Sequence, residues 1–178
     1  MKLTVKYKNI KSNYSLTQST KGDWIDLSVS TDVNLKGPVA DTLKRTRVNG
    51  TDESKRKVSF TYYQLPLGIA MQLPKGFEAI AVPRSSTFKK YSLIMTNSMG
   101  VIDNNYCGDS DEWQFPVIAY KDTFIEKGTR VCQFKIQLSQ NATIWQKIKW
   151  LFSSGFKFKE VESLDNPNRG GFGSTGIK

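Results

Sequence analysis

Apolar and polar side chains alternate along several short stretches of this chain. Leu3, Val5 and Tyr7 alternate with lysine and threonine, which is the period of a half-buried β-strand. Comparable stretches, bounded by glycine, proline, aspartate or a Lys-Gly pair, cover residues 24–29, 58–63, 65–73, 77–82, 113–120 and 130–138. Many short strands without alternating helices predict an all-β sandwich, jelly roll or barrel.

Residues 37–57 depart from this strand pattern. They carry many charged and few apolar side chains and are longer than a hairpin needs, which predicts a long mobile loop inserted in the domain. The chain then divides into one β domain over residues 1–165 and a mobile C-terminal arm over residues 166–178.

The apolar positions of residues 142–153 recur at helical spacing: Ile144, Trp145, Ile148, Leu151 and Phe152. Asn141 or Thr143 offers an N-cap. We predict one short inserted amphipathic helix here that packs on the sheet. The alternative, a helix facing a partner or a membrane surface, is suggested only by Trp150 and Lys147, which would be exposed.

The arm is dominated by glycine and small polar residues. Residues 169–176 contain four glycines together with Arg169, Phe172, Ser174 and Thr175. Because glycine loses the most backbone freedom on ordering, a frayed terminus is the simpler interpretation of this composition. The alternative is a phosphate clamp with a stacking lid, in which backbone N–H groups, hydroxyls and the guanidinium bind anionic oxygens and the aromatic ring covers a base.

Composition excludes several kinds of active site. The 178 residues include no histidine and two cysteines, Cys107 and Cys132. Histidine-dependent triads and histidine-ligated metals are therefore excluded, and a hydrolase of this sequence needs a carboxylate base, with any metal a hard ion such as Mg²⁺. Two isolated cysteines predict free thiols. Without an apolar signal segment, we expect a soluble cytoplasmic protein that has no membrane partner.

The net charge of +10 raises the question of nucleic-acid binding. The lysines and arginines are spread over the N-terminal strand, residues 37–57 and residues 147–159, and they are not regularly interleaved with aromatic residues. This distribution disfavours a nucleic acid as partner. A phosphorylated small substrate, or general solubility, explains the excess equally well.

Three sequences place polar residues beside predicted strands. Arg84 and the hydroxyls of the next three residues follow a strand, where a guanidinium and N–H groups suit a phosphate. Asp103 lies in the turn of a hairpin predicted over residues 97–109, with the ring of Tyr106 beside it. Gln133 lies in an apolar strand, where an amide must be exposed at an edge or satisfied by a ligand. Each also has an ordinary explanation as a cap, a turn or an edge.

In their order along the chain, these sequences resemble the five motifs of the homotrimeric dUTPases. The counterparts lie at residues 22–27, 83–86, 100–109, 128–134 and 169–176, and the third and fifth are the specific ones. The others depart locally: the usual Ala-Gly-Tyr is altered ahead of Asp26, Ser86 replaces a glycine and Cys132 replaces an alanine. The resemblance implies a distorted jelly-roll trimer whose active sites lie where subunits meet.

The resemblance also implies roles for individual residues. Asp103 would be the general base that activates water for in-line attack on the α-phosphorus of dUTP. Hydrolysis of dUTP to dUMP and pyrophosphate would limit uracil incorporation into DNA and would supply dUMP for dTMP synthesis. Tyr106 would exclude a 2′-hydroxyl, and the backbone around Gly100, Val101 and Ile102 would read the uracil edge.

Phosphate contacts are implied for a second set of residues: Arg84, Ser85, Ser86, Gln133, Arg169, Gly173, Ser174 and Thr175. Asn97 would hold the attacking water or the base. Mg²⁺ would bridge the phosphates, with Asp26 contacting it through water. Phe172 would stack on uracil, and Trp113 or Phe115 is the alternative for that role.

Two other functions stay open on the sequence. A dCTP deaminase has a similar fold and an Arg-Ser-Ser core, but it expects a further arginine near residues 88–90, where this chain has Phe-Lys-Lys, and a catalytic glutamate that has no evident position. A regulatory protein that binds a repressor or another partner through residues 37–57 and 142–153 is the second alternative.

Overall fold

Short β-strands are the main regular secondary structure of the protein. The computed structural model describes residues 1–16, 22–40, 44–48, 51–55 and 57–171. Two helices, α1 (Thr87–Tyr91) and α2 (Ile144–Leu151), interrupt the strands. The strands are β1 (Leu3–Asn9), β2 (Ile25–Ser28), β3 (Val33–Leu35), β4 (Val39–Ala40), β5 (Lys44–Val48), β6 (Thr51–Lys55), β7 (Val58–Ser59), β8 (Tyr62–Pro66), β9 (Ile69–Gln72), β10 (Phe77–Pro83), β11 (Leu93–Met95), β12 (Gly100–Ile102), β13 (Gln114–Ala119), β14 (Thr123–Ile125), β15 (Arg130–Leu138) and β16 (Phe156–Glu160). The all-β prediction is confirmed.

The strands that carry the predicted site belong to one four-stranded sheet in the order β12-β10-β15-β2. β10 pairs antiparallel with both β12 and β15, so that Ala79 is opposite Ile102 and Val82 is opposite Gln133. Two three-stranded sheets have the orders β16-β1-β9 and β11-β13-β8, and two-stranded pairs join β14 to β3, β4 to β7 and β5 to β6.

Aromatic side chains from different parts of the chain meet in the core. Trp113, just before β13, packs edge-to-face on Phe134 of β15, with ring centroids 5.2 Å apart. Phe134 in turn packs on Phe158 of β16 at 6.4 Å. Such aromatic pairs contribute about 0.5–1.5 kcal/mol beyond the burial of their area. These contacts fix the strand that carries Gln133 against the segment that follows the Asp103 turn.

The described parts of residues 37–57 include three strands, β4, β5 and β6, where the sequence predicts a mobile loop. β5 pairs with β6, with Lys44 opposite Lys55 at one end and Val48 opposite Thr51 at the other. β4 pairs with β7 on either side of this β5–β6 segment, which is called the excursion below. The loop prediction is wrong for the described residues. A two-stranded ladder is held by backbone hydrogen bonds and needs no continuous apolar face, so low apolar content did not reveal it.

The predicted helix is confirmed, but its orientation is the reverse of the prediction. Thr143 caps α2 in a capping box with Gln146, whose side chain accepts from the Thr143 N–H at 2.8 Å. Trp150 stacks on Phe156 at 4.9 Å and packs edge-on against Phe77. The five apolar residues at helical spacing are instead exposed: Ile144, Trp145, Ile148, Leu151 and Phe152.

Both cysteines are free thiols, as predicted. Cys132 is buried in the core, and burial raises the pKa of its thiol well above the ordinary range. Cys107 is half-buried, and its thiol pKa is raised by burial and then by the charge of Asp111. Within the described ranges, no helix has the length and apolar character that crossing a membrane requires.

Candidate active site

A pocket of about 260 Å³ lies beside the edge strand β12. The structure brings to its lining a group of residues that the sequence assigned to the site: Asn97, Gly100, Val101, Ile102, Asp103, Tyr106 and Arg169. Gly170 and Gly171, which follow Arg169, also line it. The third motif and the beginning of the fifth therefore meet on one surface of the chain.

Asp103 occupies a turn directly after β12. Ile102 pairs with Ala79 of β10, and within the described residues no strand returns to pair with the other edge of β12. The predicted hairpin over residues 97–109 is therefore wrong, although the turn itself is present: the Tyr106 N–H donates to the Asp103 carbonyl at 3.1 Å. The side chain of Asn104 donates to the carbonyls of Leu73 and Pro74 at 2.8 and 2.9 Å, which fixes the turn against β9.

The ring of Tyr106 is held in one orientation. Its hydroxyl donates to the Glu112 carbonyl at 2.8 Å. The pKa of this phenol is raised to about 12 by burial and then by the negative charges of Asp111 and Glu112. The hydroxyl is therefore protonated at neutral pH, and the ring presents a fixed face to the pocket.

Arg169 contacts the carboxylate of Asp103. The guanidinium Nη1 donates to Asp103 Oδ2 at 2.5 Å, and the two side chains are 36% and 53% exposed. Both groups remain accessible from solvent, so an anion entering the pocket can compete for the guanidinium. Sequence placed these residues 66 positions apart, and the fold makes them neighbours.

Asp26 forms a second polar group with two arginines. Asp26 Oδ1 accepts from Arg84 Nε at 2.8 Å, and Oδ2 accepts from Arg130 Nη1 at 3.0 Å. Gln133 lies directly opposite Asp26 in the β15–β2 pair. Arg130, which sequence reasoning did not single out, could have been suspected because it lies in the fourth motif.

The serines after Arg84 lie at the start of α1. Ser86 is the N-cap residue, but its hydroxyl makes no capping hydrogen bond, and Ser85 is exposed. Buried Thr87 anchors this turn by donating to the Val131 carbonyl at 2.6 Å. Both serine hydroxyls are thus spared from capping the helix.

On one chain, the predicted site residues fall into two separate groups. The described residues Asp26, Arg84, Ser85, Ser86 and Gln133 are absent from the lining of the pocket that holds Asp103. The remaining predicted residues of the arm, Phe172, Gly173, Ser174 and Thr175, lie outside the described residues.

Two polar atoms near the pocket are buried and have no hydrogen-bond partner among the described residues: Trp113 Nε1 and Gln114 Oε1. Both residues belong to the pocket lining. Buried polar atoms are normally paired, so this donor and this acceptor are candidates to contact a molecule bound in the pocket. Sequence reasoning had considered Trp113 only as a stacking ring, together with Phe115, which is buried in the core and does not line the pocket.

The described residues offer little that could hold a metal by themselves. They contain no group of three or more metal-ligating side chains. Both carboxylate oxygens of Asp26 already accept from arginines. This donor set does not form a protein cage; it is compatible only with an ion held mainly by a ligand's own oxygens and water, as Mg²⁺ commonly is.

Comparison with known proteins agrees with the family that the sequence motifs indicate. A family model described as dUTPase matches residues 54–176. The SPbeta prophage-derived deoxyuridine 5'-triphosphate nucleotidohydrolase YosS of Bacillus subtilis (strain 168) is 40% identical over 178 residues, which is 100% of both chains.

Solved structures share the fold at low sequence identity. A mutant dUTPase from phage phi11 of S. aureus, described with a coordinated structural Mg(II) ion, has a TM-score of 0.56 and 12% identity over 79% of this chain and 94% of that one. A mutant dUTPase of Staphylococcus bacteriophage 80alpha has a TM-score of 0.57 and 13% identity over 79% and 93%. The 80alpha protein is described as one of the phage dUTPases that control the transfer of virulence genes.

Proposed function

This chain belongs to the dUTPase family and hydrolyses dUTP, and we propose that Asp103 is the base that activates the attacking water. The observation that supports this role is the position of the carboxylate, which lies in one pocket with Asn97, Tyr106 and the backbone of β12. No histidine exists in the chain to act instead. The carboxylate accepts a proton from a water molecule while the oxygen of that water attacks the α-phosphorus. The bond from the α-phosphorus to the bridging oxygen breaks, and dUMP and pyrophosphate are released.

The pocket offers the contacts that a deoxyuridine moiety needs. Val101 and Ile102 present strand backbone at a sheet edge, and the fixed ring of Tyr106 would pack against the deoxyribose, where a 2′-hydroxyl would collide. Asn97 lies at the same surface and would orient the water or the base. Phe172, covalently next to the lining residue Gly171, would cover the uracil.

Phosphate binding requires both groups of polar residues. We propose that a homotrimer brings Arg84, Ser85, Ser86 and Gln133 of one subunit to the Asp103 pocket of another, because on a single chain they do not line it. Arg169, with Gly173, Ser174 and Thr175 of the arm, would then close on the γ-phosphate. Size-exclusion chromatography with light scattering should show a trimer, and a monomer that turns over dUTP would contradict the shared site.

Mg²⁺ is the proposed cofactor. The described side chains fit an ion that is bound mainly by the three phosphates and water, with Asp26 as an outer contact once the nucleotide draws the arginines to its own charge. When bound, the ion neutralises phosphate charge. Turnover should be lost with a chelator and restored by Mg²⁺.

One measurement separates the proposed activity from its nearest alternative. Steady-state turnover of dUTP, dCTP, dTTP and UTP is followed by release of pyrophosphate and of ammonia. We expect pyrophosphate from dUTP alone. Ammonia from dCTP would instead indicate a deaminase, and the sequence relationship would then have misled the assignment of the substrate.

A regulatory interaction is the second candidate function, and the exposed face of α2 favours it. Trp145, Leu151 and Phe152 are each at least three-quarters exposed, and a group of large exposed apolar side chains on one short segment is typical of an interaction site. Lys147 and Lys149 lie on the same helix, so an acidic protein segment with apolar side chains would complement it. The β5–β6 pair is the other insertion that a partner could use.

Two variants test this second function. The double substitution Trp145→Ser with Leu151→Ser should lower the affinity for a purified partner protein at least tenfold, while dUTP turnover stays within twofold of wild type. The control Tyr120→Ser alters an exposed ring elsewhere and should change neither the affinity for the partner nor the turnover. Replacing residues 41–57 with Asn-Gly joins Ala40 to Val58 through a two-residue hairpin turn, which is compatible with the β4–β7 pair, and should also spare turnover. Loss of turnover in the folded deletion variant would assign the excursion to the active site.

We expect the enzyme to act in the cytoplasm, or in the host cytoplasm if a phage encodes it, because its substrate is a free nucleotide and the relative YosS is prophage-derived. We propose no nucleic-acid or membrane partner. Retention of the protein on DNA that falls steeply as salt is raised would contradict the proposal that it has no nucleic-acid partner.

A further inference from the structure

The side chain of Asp111 is buried although it is acidic. The residue is 1% exposed and lies in the loop between the Tyr106 turn and β13. A buried carboxylate is costly unless its oxygens accept hydrogen bonds, so the donors around it indicate its purpose. No sequence motif singled this residue out.

The donors to Asp111 come mainly from the beginning of the arm. Asp111 Oδ2 accepts from the Gly108 N–H at 2.8 Å within its own loop. The Arg169 N–H lies 3.1 and 3.0 Å from the two carboxylate oxygens, and the Gly170 N–H lies 3.1 Å from Oδ1. One carboxylate therefore fixes two successive peptide units of the arm.

Neighbouring contacts show that the loop of residues 108–111 holds this segment over some length. Asn168 Oδ1 accepts from the Ser110 N–H at 2.8 Å. A Cβ on Gly108 would come within 2.4–2.7 Å of Asn168, so only glycine allows this approach. Five residues before Arg169, the Leu164 N–H donates to Asp109 at 2.7 Å.

As a result, both the backbone and the guanidinium of Arg169 are held in place. Its backbone is bound to Asp111, and its guanidinium contacts the carboxylate of Asp103. On the other side, Gly171 approaches the ring of Tyr106 closely: a Cβ there would lie 3.1 Å from the nearest ring carbon. The arm thus starts at the pocket.

We propose that Asp111 is a positioning residue, which holds the backbone of Arg169 and Gly170 so that the guanidinium stands at the Asp103 pocket ready to meet the substrate's phosphates. This proposal rests on the proposed function of the same site. Asp111 is absent from the lining of the Asp103 pocket, so we expect it to act on the site through the arm. It removes the conformational search that a glycine-rich arm would otherwise need before closing.

The test is a cycle between Asp111 and the arm. In the full chain, Asp111→Ala should lower kcat for dUTP at least tenfold, and Asp111→Asn, whose amide oxygen can still accept one N–H, should fall between. In a chain that lacks residues 169–178, the same Asp111→Ala should change the residual turnover by less than twofold, because its arm donors are already gone. Asp122→Ala, which removes another carboxylate that accepts from a backbone N–H, should leave full-chain kcat unchanged.

Two outcomes would overturn the proposal: full kcat in Asp111→Ala, or an equal loss with and without the arm, which would show a merely structural carboxylate. If the variants do not fold, hydrogen exchange of the wild-type protein decides. Slow exchange of the Arg169 and Gly170 amides supports the proposed role of Asp111, and exchange as fast as in an unstructured peptide refutes it. A wild-type chain that does not turn over dUTP would instead contradict the proposed function.

Discussion

The guanidinium of Arg169 is paired with the carboxylate of Asp103, so the first residue of the arm motif contacts the residue proposed as the base. An incoming triphosphate carries more negative charge than one carboxylate and should draw the guanidinium away. The same movement would free Asp103 for water at the moment the phosphates arrive. If Asp103 is the base, this pair would link nucleotide binding to the availability of the base.

The Asp103→Asn variant should still fold and bind nucleotide but should lose most of its catalytic activity. An amide cannot accept the proton of the attacking water, and its size leaves the turn held by Asn104 intact. We expect kcat to fall by a factor of about 10² to 10⁴, with nucleotide affinity, measured by calorimetry with a non-hydrolysable dUTP analogue, changed only severalfold. Near-normal turnover would show that another group is the base.

The parts of the fold that sequence predicted well depend on local pattern. Residues 130–138 coincide with β15, and α2 lies within its predicted range with Thr143 as cap. Asp103 and Tyr106 could be placed together because only three positions separate them. Alternation, capping and turn chemistry act over a few residues, so they are visible in a single sequence.

The features that sequence did not reveal depend on long-range contacts. Nothing in the pattern shows that Trp150 would find Phe77 and Phe156, leaving the opposite face of α2 exposed. The sequence pattern does not distinguish Asp111 from other acidic loop residues, since its partners Arg169 and Gly170 are far away in sequence. Tertiary packing decides such cases, and periodicity carries no information about it.

Deleting residues 169–178 should reduce turnover to a small residual rate without unfolding the protein. The deleted segment begins after Leu164, whose buried side chain still secures the end of the domain. Removal of the arm withdraws the guanidinium and the proposed γ-phosphate contacts. We expect kcat/KM to fall by orders of magnitude while Tm, followed by circular dichroism, shifts by only a few degrees. A chain that lacks only Ile177 and Lys178, which lie outside the motif, should retain turnover.

Tyr106 should determine the preference for deoxyribose. Tyr106→Ala removes the ring that would collide with a 2′-hydroxyl and should lower the ratio of kcat/KM for dUTP over UTP at least tenfold. Tyr106→Phe keeps the ring and loses only the hydrogen bond to the Glu112 carbonyl, so most of the preference should remain. An unchanged ratio in Tyr106→Ala would place sugar recognition elsewhere.

Gln114 offers a test that separates binding from stability. Its Oε1 is buried and without a partner among the described residues, and such an acceptor costs stability of about 1–3 kcal/mol. Gln114→Leu should therefore unfold at equal or higher denaturant concentration than wild type. If the acceptor is kept for the substrate, KM for dUTP should rise in the same variant. A stabilised variant with an unchanged KM would show that Gln114 does not contact the nucleotide.

Acid should loosen the segment that leads into the arm. The pKa of the Asp109 carboxyl is lowered chiefly by the Leu164 N–H, with Lys8 and Ser163 adding to the effect. The folded protein therefore holds this proton more weakly than the unfolded chain, and the stabilisation is present above the ordinary carboxyl pKa of about 3.9 and lost as pH falls through the folded value. Urea unfolding of wild type and Asp109→Asn should differ at pH 7 and converge below about pH 4. A difference that persists unchanged at low pH would show that Asp109 acts through packing and not through its charge.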